Sequence, residues 1–262
     1  MNDSQFKELL AFFGMSWEGY RRVRKGVKKR VIRHMQKLNC RDMAAYLKEL
    51  SINPAERQTC DFLMTVSISR FFRDYPVWKV LENEILPSFS SKTEINIWSA
   101  GCACGEEAYS IHIIGNRFRE NIPSSPRICI TASDLNPEYI GKARIGRYPS
   151  SSLREVPSEW RERYFHKIKG RKWFEVKEYL KKCIQWEVGT FDSLMSCVNF
   201  DIIFLRNNLL TYYLNPEKEM VFYSILNRLA SPGWLITGAR EKVPVISPFL
   251  KRVPAVSGIF FK

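Results

Sequence analysis

The sequence contains no apolar run approaching the roughly 18 residues that a membrane-spanning helix requires. Its opening, MNDSQFKELL, carries Asp3 and Glu8 and no apolar core of a secretion signal, so the expected location is the cytoplasm. Histidine is scarce. His34, His112 and His166 stand in no zinc-like relation to the cysteines, and Cys102 and Cys104 are too close for the usual zinc pairing, so no metal is expected. Seven cysteines, an odd number scattered from Cys40 to Cys197, read as thiols of a reducing compartment and not as a disulfide framework. There is no internal repeat and no low-complexity tract. Acid is in deficit: 27 Asp and Glu face 41 Lys and Arg, a formal charge of +14 that steers an acidic partner toward the chain. Nucleic acid, anionic lipid and acidic protein all fit that charge, but no RNA- or DNA-binding motif is recognisable.

With 262 residues, 45% of them hydrophobic, the chain can bury a sizeable core and suits one catalytic domain with a small appendage. From Arg21 to Arg33 the run RRVRKGVKKRVIR holds eight bases and no acid. Val23, Val27 and Val31 recur every fourth residue, with Leu38 continuing near the same angle, which predicts a helix with a narrow apolar stripe and a free basic face. An acidic partner is expected there, at Arg21, Arg22, Arg24, Lys25, Lys28 and Lys29. Helical patterning continues over residues 40–62, with Pro54 at a helix start, so about 70 helical residues precede the first strand. Apolar runs at 95–101, 127–134, 184–191, 200–207 and 233–238 then alternate with helical stretches, predicting a parallel, doubly wound α/β sheet. VSGIFFK at the end reads as a final edge strand. Residues 147–182, basic and rich in aromatics, break the alternation and are expected to form a small excursion on the strand-carboxyl side.

The first strand runs into Gly101-Cys102-Ala103-Cys104-Gly105-Glu106-Glu107, which opens a helix. A Gly-bearing first turn lets backbone approach a nucleotide-like ligand, and ligands of open α/β sheets sit outside the strand carboxyl ends. The dinucleotide glycine fingerprint is incomplete, which disfavours a pyrophosphate cofactor. The second strand ends at Asp134, where Rossmann-like sheets hold a ribose hydroxyl pair. A tight strand-to-helix turn and a simple helix cap are the alternative readings of these two features.

SISRFFRD at 67–74, IWSAGCACGEEAYS at 97–110, TASDLNPEYIGKAR at 131–144 and FDIIFLRN at 200–207 resemble, in order and spacing, the motifs of the CheR-type chemotaxis-receptor glutamate methyltransferases. Weaker similarity, including GRYP, EVP and RYF between 146 and 165, covers nearly the whole chain. The resemblance implies a Rossmann-like class I methyltransferase sheet over 76–262, a small all-helical N-terminal domain over 1–75, and S-adenosylmethionine as donor, with S-adenosylhomocysteine as product. Its cofactor contacts fall on Ser67, Ser69, Arg73, Glu107, Asp134, Thr190, Phe191, Arg206 and Asn207, beside the loop glycine Gly101. Asn is usual where Ser67 and Thr190 stand. Arg73 is the residue implied to lie nearest the transferred methyl and to orient the acceptor carboxylate.

The family's Arg-Asn-Val-x-Ile-Tyr-Phe becomes Arg206-Asn207-Asn208-Leu209-Leu210-Thr211-Tyr212-Tyr213. An ungapped match puts Thr211 at the active-site tyrosine, with Tyr212 one place late; Tyr212 is the catalytic candidate, and core packing of the aromatic pair is the other reading. The implied reaction forms glutamyl methyl esters on an acidic helical partner such as a chemoreceptor cytoplasmic helix. A different acceptor, small molecule or nucleic acid, and a non-catalytic S-adenosylmethionine sensor are the competing functions.

Overall fold

The computed structural model describes residues 1–67, 69–191, 199–244, 250–254 and 256–262. The chain divides into two compact units, Met1–Val66 with Asn207–Phe222, and Ser67–Arg206 with Tyr223–Lys262.

In the first unit, helices α1 (Asp3–Phe12), α2 (Trp17–Tyr20), α3 (Arg24–Lys37), α4 (Met43–Ile52) and α5 (Pro54–Met64) enclose a core of Phe6, Leu9, Leu10, Tyr20, Val27, Val31, Met43, Tyr46, Leu50, Cys60 and Met64. The helix starts are written locally: Asn2, Ser16, Asp42 and Asn53 each accept a backbone N–H of the turn they open, and Pro54 takes a first-turn position where its missing N–H is harmless. The basic helix departs from expectation in two ways. Val23 is its N-cap and Leu38 its C-cap, both half-buried against this core, and His34 joins Val27 and Val31 in the fully buried stripe. His34 lies between the Tyr46 hydroxyl at 2.7 Å and the Glu56 carboxylate at 2.8 Å. The basic face is also not wholly unopposed, because Asp3, brought over from α1, pairs with Arg24 at 3.2 Å and with Lys28. Arg30 donates to the carbonyls of Leu63 at 2.9 Å and Thr65 at 2.7 Å, closing the end of α5. Arg21, Arg22, Lys25, Lys29 and Arg33 remain exposed.

The segment 207–222 completes this unit. Ser16 N–H donates to the Tyr212 carbonyl at 2.7 Å, and Met15 bridges Tyr213. A Cβ on Gly19 would stand 2.2 Å from the Thr211 carbonyl oxygen, so glycine is what lets the two segments touch.

The second unit is built on a seven-stranded sheet. Its strands are β1 (Glu94–Ala100), β2 (Arg127–Asp134), β6 (Ile184–Val188), β7 (Phe200–Leu205), β8 (Leu229–Thr237), β9 (Lys251–Arg252) and β10 (Ile259–Phe261), in the order β6-β2-β1-β7-β8-β10-β9. β6, β2, β1, β7 and β8 are parallel, and all six residues of β7 are buried, as expected of a strand covered on both faces. The closing strand β10 pairs antiparallel with β8 but is not the edge; β9 lies outside it. Chain order runs outward from β1 on one side and resumes at β7 on the other, so the topological switch lies between β1 and β7, where open α/β sheets take their ligands.

Phe71 and Phe72, both 0% exposed, sit in the core of this second unit, so the segment carrying Arg73 belongs with the sheet and not with the helices before it. Helix α6 (Tyr75–Val80) follows at once and contributes Trp78, whose ring stacks on Phe204 of β7. Residues 147–176 form a separate antiparallel sheet of β3 (Arg147–Pro149), β5 (Trp173–Val176) and β4 (Phe165–Lys167), with β5 central. No helix among the described residues is long and apolar enough to cross a membrane.

Candidate active site

The loop leaving β1 is fixed from below by its neighbour strand. Gly101 and Cys102 donate their N–H groups to the Ser133 carbonyl at 2.8 and 2.9 Å, and Ala103 N–H donates to Asp134 Oδ2 at 2.9 Å. Gly101, Ala103 and Gly105 all have positive φ, at 78°, 49° and 93°. A Cβ on Gly105 would fall 2.8 Å from the Ala143 methyl and 2.9 Å from the Trp186 ring, so this position must be glycine both for its backbone and for its space. The Tyr148 hydroxyl reaches from β3 to the Cys104 carbonyl at 2.7 Å. Ser69 N–H donates to the Ser67 carbonyl at 3.0 Å.

Asp134 is the knot of this region. Oδ2 accepts Ala103, Oδ1 accepts Asn136 N–H at 2.9 Å, and the Asp134 carbonyl accepts Gly189 N–H at 3.1 Å. Burial pushes its carboxyl up while the Asn136 and Ala103 N–H groups pull it down, and the net direction is up. Asn136, not Asp134, caps the helix α8 (Pro137–Ile145) by accepting Glu138 N–H. Each Asp134 oxygen therefore keeps a free lone pair, the requirement for receiving two vicinal hydroxyls. Beyond β6 the chain continues through Thr190 to Phe191, whose ring lies edge-on to Trp98 at 6.4 Å.

At the switch point three chain segments are joined by charge. Helix α7 (Glu106–Asn121) opens with Glu106 and Glu107 in its first turn. Glu107 accepts the Ser99 hydroxyl at 2.8 Å and Arg206 Nη1 at 3.2 Å. Arg206, at the end of β7, donates through Nη2 to Asp74 at 2.6 Å and to the Arg73 carbonyl at 3.0 Å. Burial raises the Glu107 pKa, with Arg206 the largest opposing influence. Phe72 and Asp74, on either side of Arg73, are both left-handed at φ 54° and 59°. Such conformations are held only where surroundings over-determine them, and they concentrate at functional sites.

Glu106, 4% exposed, is the second buried acid here. Its Oε2 has no partner, and burial pushes its pKa up to about 7. Sequence reasoning treated Glu106 only as a first-turn charge, and it passed over Asp74, Ser99, Trp78 and Tyr148. Asp74 closes the motif SISRFFRD and was open to notice; Ser99, Trp78 and Tyr148 are joined to the site by contacts that no local pattern announces. Asn207, with φ 56°, and Tyr212 belong to the helical unit, where the Tyr212 ring lies 4.9 Å from Tyr20 in the aromatic part of that core. Among the described residues no group of three or more His, Cys, Asp and Glu side chains is arranged to hold a metal ion.

A parallel sheet with a Gly-bearing first turn, a strand-end acid and a buried ion-pair cluster at its switch point defines a Rossmann-like, nucleotide-cofactor-binding α/β protein. Residues 67–256 match the family described as "CheR methyltransferase, SAM binding domain", and the chain belongs to that family. It is an S-adenosylmethionine-dependent methyltransferase. The chemotaxis protein methyltransferase of Vibrio parahaemolyticus is 31% identical over 206 residues, covering 76% of this chain and 73% of the relative. That of Borreliella burgdorferi is 27% identical over 213 residues, covering 78% and 75%.

Proposed function

We propose that the chain is a cytoplasmic protein-glutamate O-methyltransferase, esterifying glutamate side chains on an acidic helical partner of the chemoreceptor type. The names of its relatives support a chemotaxis substrate. The observation that carries the carboxylate reading is Arg73, an arginine whose backbone carbonyl is held at the switch point by Arg206 and Trp78. S-adenosylmethionine, when bound, supplies an electrophilic methyl group. Gly101, Asp134, Glu107, Ser67, Ser69, Thr190 and Phe191 hold it in this reading, with Asp134 taking the ribose hydroxyls. Those residues fit the cofactor: the loop has the positive-φ backbone of a close approach, and Asp134 has the lone pairs.

A glutamate acceptor, whose ordinary pKa lies well below neutrality, is already ionised at pH 7, so no general base is needed. The protein's task is to align, desolvate and orient. Proximity of this kind supplies roughly 7 kcal/mol or more of the barrier. Arg73 suits the orienting role because a guanidinium grips a carboxylate with two parallel hydrogen bonds and an ammonium does not. Arg73→Lys is accordingly expected to lower turnover about tenfold or more, near 1.4 kcal/mol of barrier, while the dissociation constant of S-adenosylhomocysteine moves less. Turnover and binding constants measured side by side check this; equal losses make Arg73 a cofactor ligand only.

The exposed bases of α3 and of the turn before it supply the partner surface in this proposal. Reversing Arg22, Lys25 and Lys29 to Glu spares Arg24, Lys28 and Arg30, which the fold uses. Slower methylation at low salt is expected, converging on the native rate as salt rises, with cofactor affinity unchanged. Identical rates at low salt would remove the partner role of the helix. The proposal as a whole is tested by incubation with labelled S-adenosylmethionine and an acidic helical acceptor, followed by mild base. Methyl esters release labelled methanol, and label that survives base marks a different acceptor.

A further inference from the structure

The Arg206 side chain is 2% exposed, and both of its terminal nitrogens are engaged by protein groups. Nη1 meets Glu107, whose other oxygen receives Ser99; Nη2 meets both the Asp74 carboxylate and the Arg73 carbonyl. The same Arg73 carbonyl also accepts Trp78 Nε1–H at 2.9 Å, and the Arg206 guanidinium lies over the Trp78 ring at 5.8 Å. Only Nε, buried and without a partner, is left over. One buried cation thus joins three things: the first turn of the helix behind the cofactor loop, the end of β7, and the backbone of Arg73 between its two left-handed neighbours. A direct cofactor contact, which the sequence resemblance implies for Arg206, would draw on groups this network already occupies.

We infer that Arg206 is a positioning residue, a forked clamp that locks the Phe72–Asp74 backbone to Glu107 and so holds Arg73 in its working conformation. The inference rests on the reading of Arg73 as the group that aligns the acceptor carboxylate. Asp74 is the second arm of the clamp: its left-handed backbone, unfavourable for a residue with a side chain, is maintained by the ion pair that side chain makes. Lysine keeps the charge but lacks the planar fork, so it cannot serve Glu107, Asp74 and the Arg73 carbonyl together.

The test is Arg206→Lys in the full chain, read in three ways. Amide hydrogen exchange of residues 72–78 is expected to quicken about tenfold or more while β1 and β7 keep their protection. Turnover is expected to fall about tenfold, with the dissociation constant of S-adenosylhomocysteine within about threefold of native. The double variant Arg73→Lys with Arg206→Lys is expected to be no slower than Arg73→Lys alone, because residues acting through one another are not additive. If Arg206→Lys does not fold, Asp74→Asn, which removes one arm at a part-exposed side chain, carries the same three readings with smaller changes. Unchanged exchange over 72–78 overturns the clamp, as do multiplying losses in the double variant or a binding loss equal to the turnover loss. Quickened exchange over 72–78 in a protein whose native form yields no base-labile ester upholds the clamp and rejects the glutamate acceptor.

Discussion

Asp134→Ala is expected to lower folding stability and cofactor affinity together. The carboxylate satisfies the backbone N–H groups of Ala103 and Asn136, both at 2.9 Å, and leaving a buried donor unpaired costs about 1–3 kcal/mol. Part of that loss is offset because a buried carboxyl pushed up by desolvation is itself unfavourable when ionised. Affinity for S-adenosylhomocysteine should fall about tenfold or more, since the variant loses the proposed acceptors for the ribose and loosens the Gly101–Gly105 turn as well. Asp134→Asn separates the two effects: its single carbonyl oxygen keeps one backbone bond, so stability should recover more than affinity. Calorimetric titration with urea unfolding of the same samples reads both, and native affinity in a folded Asp134→Ala protein removes Asp134 from the site.

Glu106→Gln is expected to change how stability depends on pH. An ordinary glutamate ionises near 4.5, whereas burial with one unpartnered oxygen pushes Glu106 up to about 7. The folded protein therefore holds this proton more tightly than the unfolded chain. Below about pH 4.5 the side chain is neutral in both states and exerts no penalty; between there and about 7 the unfolded form ionises freely and the folded form lags, so stability falls as pH rises. The full penalty, about 3 kcal/mol, is present above pH 7. Glutamine keeps the shape and never ionises. Relative to the native protein, Glu106→Gln should gain about 3 kcal/mol on going from pH 4.5 to pH 8, with Glu107, Asp134 and His112 still titrating in both proteins and cancelling in the difference. Urea unfolding at the two pH values checks it, and the same stability difference at both rejects it.

The parts of this protein that could be read from the chain are those whose physics is local or periodic. β7 reads as an apolar run because it is covered on both faces, interrupted only at Asp201, which Lys92 and the Asn96 N–H satisfy. The cofactor loop is legible because its glycines stand where a strand must turn into a helix, and Asp134 because it ends the next apolar run. What escaped depends on contacts between distant segments. Asp3 opposes Arg24 and Lys28 across more than twenty residues, so the basic run looked unopposed. β9 has two residues and β3, β4 and β5 only three or four, too short for a period of two to declare itself, which is why the edge of the sheet and the small antiparallel sheet were not foreseen. Phe71 and Phe72 assign their segment to the sheet by packing on Tyr148, Phe165, Trp78 and Trp160, partners that lie six to nearly a hundred residues away. Tyr212 had two readings in the sequence; its ring lies against Tyr20, a neighbour that spacing alone does not reveal.

In the proposed function the carboxyl ends of β1, β2 and β6 hold S-adenosylmethionine. Amide hydrogen exchange with and without saturating S-adenosylhomocysteine measures it directly. Slowed exchange is expected over 99–107, 131–136 and 186–190, at one ligand per chain, with α1 through α5 little changed. Saturable binding that leaves those three segments unprotected, or protects only the helical unit, would contradict it.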